Sequence, residues 1–216
     1  MVRRGLSFSR FGNKIGENLA KEKGMEKRIR FPVEDRQVLE GLQAGDLVYI
    51  SGVLLAARDQ THRRLIELVE KGEPLPADLT GHCLYYVGPS PAPPGKVIGA
   101  AGPTTAYRMD VYTPKLLDLG VAATMGKGKR GPMVKEALKR ARAIYLATFG
   151  GAGAYLSRCI KACEVLAFPE LGPEALFRLE VEDFPAVVIN DLFGRDFYEE
   201  ACTHWRQRLQ EAKDDN

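Results

Sequence analysis

The sequence predicts an α/β fold, built as a single layered domain with a mixed sheet. Apolar segments rich in β-branched residues alternate along the chain with amphipathic segments of helical period. Glycine turns follow several of the predicted strands. With 216 residues, 45% of them hydrophobic, the chain can bury one substantial core and fits one domain better than two.

In the first half, apolar β-branched and aromatic residues predict the strands. These lie at residues 30–33, 47–56, 83–88 and 96–110, the last running into a glycine turn. Between the second and third strands, Asp59 precedes an apolar helical stripe that ends at Gly72. A Pro/Gly-rich passage covers residues 73–95.

The second half continues the alternation. Predicted strands lie at residues 121–126, 143–151 and 177–191, and predicted helices at 113–120, 132–142, 153–166 and 195–212. The first of these helices has Thr113 as its N-cap, Pro114 at its first position and Gly120 as its stop. Strands that alternate with helices are typical of a layered α/β domain.

The charge balance restricts the class of partner. Lys and Arg number 31 against 28 acidic residues, a net charge of +3, so nucleic acid is not an expected partner and useful positive charge must be local, around a small anion. No stretch approaches the roughly 18 apolar residues of a membrane span. No signal-peptide pattern lies near the start, so we expect no membrane association and a cytoplasmic protein.

The cysteines do not form a recognisable metal or disulfide pattern. They are Cys83, Cys159, Cys163 and Cys202. Cys159 and Cys163 would share one face of the predicted helix, and we expect these thiols to be buried apolar groups. The chain therefore shows no cysteine set that would hold an iron–sulfur cluster, and we expect it to bind no metal or cofactor.

The first 24 residues differ from the rest of the chain. They are basic, glycine-punctuated and weakly periodic, and Met25 then opens a segment that resembles a natural beginning. We predict residues 1–24 to be a flexible N-terminal extension, with an amphipathic arm that docks on a partner as the alternative. The domain proper is expected over residues 25–216.

Polar side chains follow three of the predicted strands. They are Arg58 and Asp59; Thr104, Thr105, Arg108 and Asp110; and Lys127, Lys129 and Arg130 among glycines. In α/β sheets, ligands bind where loops leave the carboxyl ends of strands. Arginine binds carboxylate through a bidentate fork and lysine adds a point charge, so these groups suit a small dicarboxylate.

Each group also has a structural interpretation. Arg58 could pair with Asp59 or a nearby glutamate, and the threonine hydroxyls could serve turns or caps. The loop GKGKRG (126–131) could be an exposed basic loop, since the phosphate-loop spacing is missing. The glycines of 149–155 could bind an anion or allow tight packing. We expect His62 to face solvent or to stabilise a helix.

Taken together, several strings resemble the β subunit, or C-terminal domain, of class I fumarases and L-tartrate dehydratases. They are GDLVYISGVLLAARDQTH (45–62), GAAGPTTAYRMDVYTPKLLDLGV (99–121), GKGKRG, FGGAGAYL (149–156) and EALFRLEVEDFPAVVINDLFGRDFY (174–198). GPTT-x-x-RMD followed by GKG is the specific part. The resemblance covers nearly all of residues 30–198 and leaves the first 24 outside.

The resemblance implies a swivelling β/β/α domain and a hydro-lyase that works on a small dicarboxylate. It implies a cluster-bearing α subunit whose four-iron four-sulfur cluster acts as a Lewis acid, so that this chain is active only in a hetero-oligomer. It also implies the substrate-binding residues Arg58, Thr104, Thr105, Arg108 and Lys127. Thr104, Arg108 and Lys127 would be the catalytic ones.

Several readings of the function stay open. We expect the β subunit of a fumarate hydratase, with a tartrate dehydratase β subunit or a non-catalytic small-anion-binding module as alternatives. A purely structural subunit that gates a partner's site is a further rival. The sequence does not separate fumarate from tartrate, identify the partner, or decide whether the isolated chain is a homodimer.

Overall fold

The computed structural model describes residues 26–214, so the predicted extension over residues 1–24 lies outside the described residues. The strands are β1 Lys27–Phe31, β2 Leu47–Ala56, β3 Cys83–Tyr85, β4 Ala123–Gly126, β5 Ile144–Ala147, β6 Ile160–Ala167 and β7 Leu176–Asn190. The α-helices are α1 Asp59–Lys71, α2 Thr113–Asp118, α3 Pro132–Arg140, α4 Gly153–Leu156 and α5 Phe197–Asp214. Short 3-10 helices lie at Arg36–Leu39, Ala106–Met109, Ser157–Cys159 and Pro169–Glu174.

The strands of this described part form a seven-stranded mixed sheet in the order β1-β2-β3-β4-β5-β7-β6. Strands β1 to β5 pair in parallel along that order. Strand β7 runs antiparallel to β5, β6 and β2. Because β7 pairs with β2 as well, the sheet closes on itself. The predicted mixed α/β domain is confirmed.

Strand β2 is apolar along most of its length, and its last three residues are buried on both faces of the sheet. Leu54 and Ala56 belong to one apolar cluster, while Leu55 and Ala57 belong to a second. Successive side chains of a strand point to opposite faces, so each face contributes to a different core layer. Each fully buried leucine stabilises the fold by about 1.5–3 kcal/mol.

Helix α1 follows β2 almost directly and has the predicted bounds. Gly72 ends it with φ 70°, and its N–H donates to the carbonyls of Leu68 and Val69. A left-handed residue after the last turn is a common helix stop, and glycine adopts it without strain. At the other end Arg58 is the N-cap residue in extended conformation, which places its side chain where strand and helix meet.

Residues 96–110 do not form the predicted strand. They make isolated bridges, Val87 with Pro103 and Thr105 with Lys127, before the 3-10 helix Ala106–Met109. Proline cannot donate to a strand ladder, so Pro103 limits pairing there. Thr113 is not an N-cap either: it is the first helical residue, and its hydroxyl donates to the carbonyl of Met109 at 2.8 Å.

The helix predicted over residues 153–166 is also wrong. Helix α4 ends at Leu156, and the chain then forms edge strand β6, which pairs antiparallel with β7. Cys159 and Cys163 therefore do not share a helix face. Pairing with a long neighbouring strand has overridden a pattern that suits a helix locally.

The cysteines are free thiols in different environments. Cys83 is buried, Cys159 and Cys163 are partly exposed, and Cys202 is exposed. The predicted burial holds fully for Cys83 alone, where desolvation raises the pKa of the thiol. No helix among residues 26–214 is long and apolar enough to cross a membrane.

Candidate functional site

Arg58 and Arg108 are joined by one carboxylate. Asp59, the first residue of helix α1, has Oδ1 2.9 Å from Nε of Arg108. Its Oδ2 is 3.6 Å from Nη2 of Arg58. These arginines are 50 residues apart in the sequence, so the end of β2 and the 3-10 helix Ala106–Met109 meet here. The side chain of Arg108 is 50% exposed, which leaves its terminal nitrogens accessible to a ligand.

Glu174 is a second acidic neighbour of Arg58 that the sequence did not indicate. Its Oε1 is 3.6 Å from Nη2 of Arg58, and its Oε2 accepts from the backbone N–H of Gln60 at 3.0 Å. Glu174 thus caps the first turn of α1 while it neutralises part of the arginine's charge. No spacing signal marks it, because it lies more than 100 residues further along the chain.

Arg58 is packed closely against backbone. A Cβ added to Gly88 would lie 2.7 Å from Nη1 of Arg58 and 3.2 Å from the carbonyl of Pro173. Only glycine leaves room there for the guanidinium. The ion pairs with Asp59 and Glu174 agree with the structural interpretation of Arg58. Its side chain nevertheless remains 21% exposed.

The threonine and lysine loops are joined through their backbones. The N–H of Lys127 donates to the carbonyl of Thr104 at 3.1 Å, and the N–H of Ala106 donates to the carbonyl of Lys127 at 2.9 Å. Thr104 also donates its N–H to the carbonyl of Tyr86 at 2.7 Å. Thr105 begins the 3-10 helix, but its hydroxyl makes no capping bond. The Thr104–Thr105 segment and Lys127 are thus held side by side.

Lys127 and Lys129 are exposed, whereas Arg130 in the same loop is buried. The interpretation of GKGKRG as an exposed basic loop therefore holds for its lysines and fails for its arginine. A Cβ on Gly150 would lie 3.5 Å from Cδ of Lys127, so the turn after β5 borders the lysine stem. Gly153 allows close packing instead, since a Cβ there would lie 2.9 Å from the nitrogen of Gly102.

His62 does not face solvent, and of its two predicted roles its contacts fit the stabilisation of a helix. It is fully buried, with Nδ1 2.7 Å from the carbonyl of Arg58 and the ring edge-on to Tyr86. Desolvation lowers the pKa of His62 from 6.5 to about 4, and the hydrogen bond to Arg58 only partly offsets it. A neutral imidazole therefore supports the start of helix α1.

The structure brings the predicted residues together in two linked groups. Arg58 and Arg108 share Asp59, while Lys127 is joined by backbone hydrogen bonds to Thr104 and Ala106, the neighbours of Thr105. The segment from Thr104 to Arg108 belongs to both groups. Each predicted residue thus lies on one of these adjoining loops. Their roles in binding a substrate remain predictions.

The described residues do not fit a metal cluster. No group of three or more His, Cys, Asp or Glu side chains among residues 26–214 could hold a metal ion. The cysteines lie in separate environments, and Cys83 is enclosed in the apolar core. The chemistry assigned below to residues of this chain therefore does not depend on an iron–sulfur cluster held by the described residues.

The fold and surface define an α/β domain with a cationic loop cluster beside the ends of parallel strands. The family described as Fumarase C-terminus matches residues 11–201. This chain belongs to that family. The match includes part of the segment 1–24, which the sequence resemblance had left outside.

Proteins similar to this chain include fumarate hydratases and a tartrate dehydratase subunit. Fumarate hydratase 2 of Leishmania major is 41% identical over 173 residues, 79% of this chain and 30% of that protein. The aerobic class I fumarate hydratase of Escherichia coli K12 is 40% identical over 153 residues, 70% of this chain and 28% of that protein. A putative L(+)-tartrate dehydratase subunit beta of Methanocaldococcus jannaschii is 36% identical over 179 residues, 79% of this chain and 90% of that protein. The chain thus spans less than a third of the two fumarate hydratases but nearly the whole of the subunit.

Proposed function

We propose that this chain is the β subunit of a heteromeric, iron–sulfur-dependent hydro-lyase that reversibly hydrates fumarate to malate. The observation that carries this proposal is the surface shared by Arg58, Thr104, Thr105, Arg108 and Lys127 on adjoining loops. The chain's match to less than a third of the fumarate hydratases supports a role as one part of a larger enzyme.

Arg108 and Lys127 are assigned to stabilise the negative charge that develops on the substrate during the reaction. Removing a proton next to a carboxylate builds negative charge on that carboxylate, so fixed cations lower the barrier most when they lie where the charge grows. Asp59 holds Nε of Arg108 at 2.9 Å, which leaves the two terminal nitrogens to grip a carboxylate as a fork. Arg58 is assigned to binding the substrate.

Thr104 is assigned to proton transfer, and Thr105 to a hydrogen bond with the substrate. A hydroxyl is too weak an acid to act as a base without a partner that takes its proton. The acidic groups described near these loops are already engaged: Asp59 with Arg58 and Arg108, Glu174 with Arg58, and Asp110 with Arg130. The activating carboxylate is therefore assigned to the partner subunit, together with the four-iron four-sulfur cluster.

Tartrate is the second candidate substrate. It is favoured by one observation: the relative of which this chain covers 90% is named as a tartrate dehydratase subunit beta. Fumarate is favoured by the higher identity of the fumarate hydratases. The proposal also includes a swivelling β/β/α fold, a cytoplasmic location and a hetero-oligomer with the α subunit, or a homodimer when the chain is isolated.

The test is co-expression with the cluster-bearing partner, anaerobic reconstitution of the cluster, and turnover assays with fumarate, malate and tartrate. We expect turnover by the complex and none by this chain alone, with or without iron and sulfide. Activity of the isolated chain would contradict the half-site proposal. A complex that binds these acids without turning any over would favour the non-catalytic anion-binding module.

The exposed lysines provide a matched pair of variants. Lys127→Ala should lower kcat/KM by about 100-fold or more, since it removes a cation assigned to the transition state. Lys129→Ala removes another exposed charge from the same loop, and should change kcat/KM less than about threefold. Equal losses in both variants would mean that the loop acts only through its net charge.

A further inference from the structure

Arg130 lies in a closed pocket beneath the loop that carries Lys127. Its side chain is 0% exposed, and Nε is 2.9 Å from Oδ1 of Asp110. Nη1 donates to the hydroxyl of Tyr86 at 3.1 Å, and Nη2 donates to the hydroxyl of Thr113 at 2.6 Å. All three guanidinium nitrogens thus have a polar neighbour.

Two aromatic rings enclose the same guanidinium. Its central carbon lies 5.3 Å from the ring centre of Tyr86 and 5.1 Å from that of Tyr145. Both distances are within the range of cation–π attraction. The hydroxyl of Tyr145 donates to the carbonyl of Gly128 at 2.8 Å, so this tyrosine contacts both the arginine and the loop above it.

Asp110 uses its second oxygen on the loop itself. Oδ2 accepts from the backbone N–H of Gly131 at 2.7 Å. The residue lies two positions after Arg108, while Arg130 lies three positions after Lys127. The ion pair therefore connects the segment that presents Arg108 with the segment that presents Lys127.

A buried ion pair is a strong constraint on position. Removing either partner leaves an uncompensated charge in a low-dielectric environment, so displacement of the two segments is opposed. The 3.1 Å and 2.9 Å backbone bonds of Lys127 with Thr104 and Ala106 lie between the same two segments. The backbone bonds and the buried pair thus join the same two segments.

We propose that Asp110 and Arg130 are a positioning pair. Their buried contact fixes Arg108 and Lys127 relative to one another, so that both stabilise the same substrate carboxylate. Neither residue touches the substrate in this scheme. The inference rests on the proposed hydro-lyase function, because it concerns the same cations. The inference adds that the buried ion pair sets the separation of Arg108 and Lys127. This separation matters because charge stabilisation in a transition state tolerates little displacement of the cations.

The structural part of the proposal is tested on the full chain without any activity. NMR hydrogen exchange at the amides of Ala106 and Lys127 reports the bonds between the two segments. In Asp110→Asn we expect these amides to exchange about tenfold faster or more, with the amides of helix α1 unchanged. Asp118→Asn, which removes an exposed ion pair with Arg140, is the control and should leave both sets unchanged.

The kinetic part uses the reconstituted complex. Asp110→Asn should lower kcat about 10- to 100-fold with a smaller change in KM, since misplaced cations weaken the transition state most. If this variant does not fold, Arg130→Lys retains the buried charge next to Asp110 but cannot reach Tyr86 and Thr113 together. Arg130→Lys should also lower kcat more than it changes KM, with a smaller loss in kcat than Asp110→Asn.

The outcomes separate this inference from the proposed function. Unchanged exchange in a folded variant overturns the positioning pair, and so does faster exchange with wild-type kcat and KM. A wild-type complex that turns over none of the three acids overturns the proposed function and, with it, the kinetic role of the pair.

Discussion

Lys127 and Arg130 lie three residues apart on one glycine-rich loop, yet the lysine is exposed and the arginine side chain is 0% exposed. Arg130 has a carboxylate, two hydroxyls and two aromatic faces around it. Arg108 shares one carboxylate and is 50% exposed. A buried cation needs a counter-charge and polar neighbours, whereas a cation that binds a ligand must keep donors free.

The largest expected effect concerns the buried cation. Arg130→Met should lower the free energy of unfolding by about 3–5 kcal/mol, because it leaves the carboxylate of Asp110 buried without its partner charge. Urea unfolding of the full chain measures the loss. The double variant with Asp110→Asn should recover at least about 1 kcal/mol. A single variant as stable as the wild type would remove the contrast between the two cations.

The exposed cation should show the opposite pattern. Arg108→Ala is expected to lower kcat/KM of the reconstituted complex, which corresponds to a loss of about 2.7–4 kcal/mol of transition-state stabilisation. Its effect on the unfolding of the isolated chain should stay below about 1 kcal/mol, since its ion pair is half exposed. Near-normal turnover would refute the assignment of Arg108, and a large stability loss would class it with Arg130.

His62 sharpens the comparison through pH. Burial lowers the pKa of His62 to about 4, so the unfolded chain takes up its proton first as pH falls. The stability that depends on a neutral His62 is present above about pH 6.5 and is lost as pH falls towards 4. Between pH 7 and 4.5 the wild type should lose about 2 kcal/mol more than His62→Gln.

Urea unfolding at the two pH values measures that difference. His204→Gln, which replaces a histidine on the exposed face of helix α5, should keep the wild-type pH dependence. If His62→Gln shows the same pH dependence as the wild type, His62 is not held neutral by burial, and the layer behind the arginines is more hydrated than the structure indicates.

Local sequence was a good guide to elements whose signals lie within one segment. Strand β2, helix α1 with its stop at Gly72, and most of β7 have the predicted positions. Continuous apolar strands and a helical stripe ended by glycine depend on short-range chemistry. Residues 160–167 failed because their strand is stabilised by pairing with β7, a contact that lies outside their own segment.

For the candidate site, the sequence by itself determined which residue types are available: arginine, threonine and lysine in loops after apolar strands. Only the tertiary structure decided how they are used. Asp59 meets Arg108, Glu174 meets Arg58, and Asp110 meets Arg130, through contacts between separate segments of the chain. Two basic residues of one loop look alike in sequence. Their desolvation and their partners distinguish a buried cation from a free one, and both depend on how other elements pack around the loop.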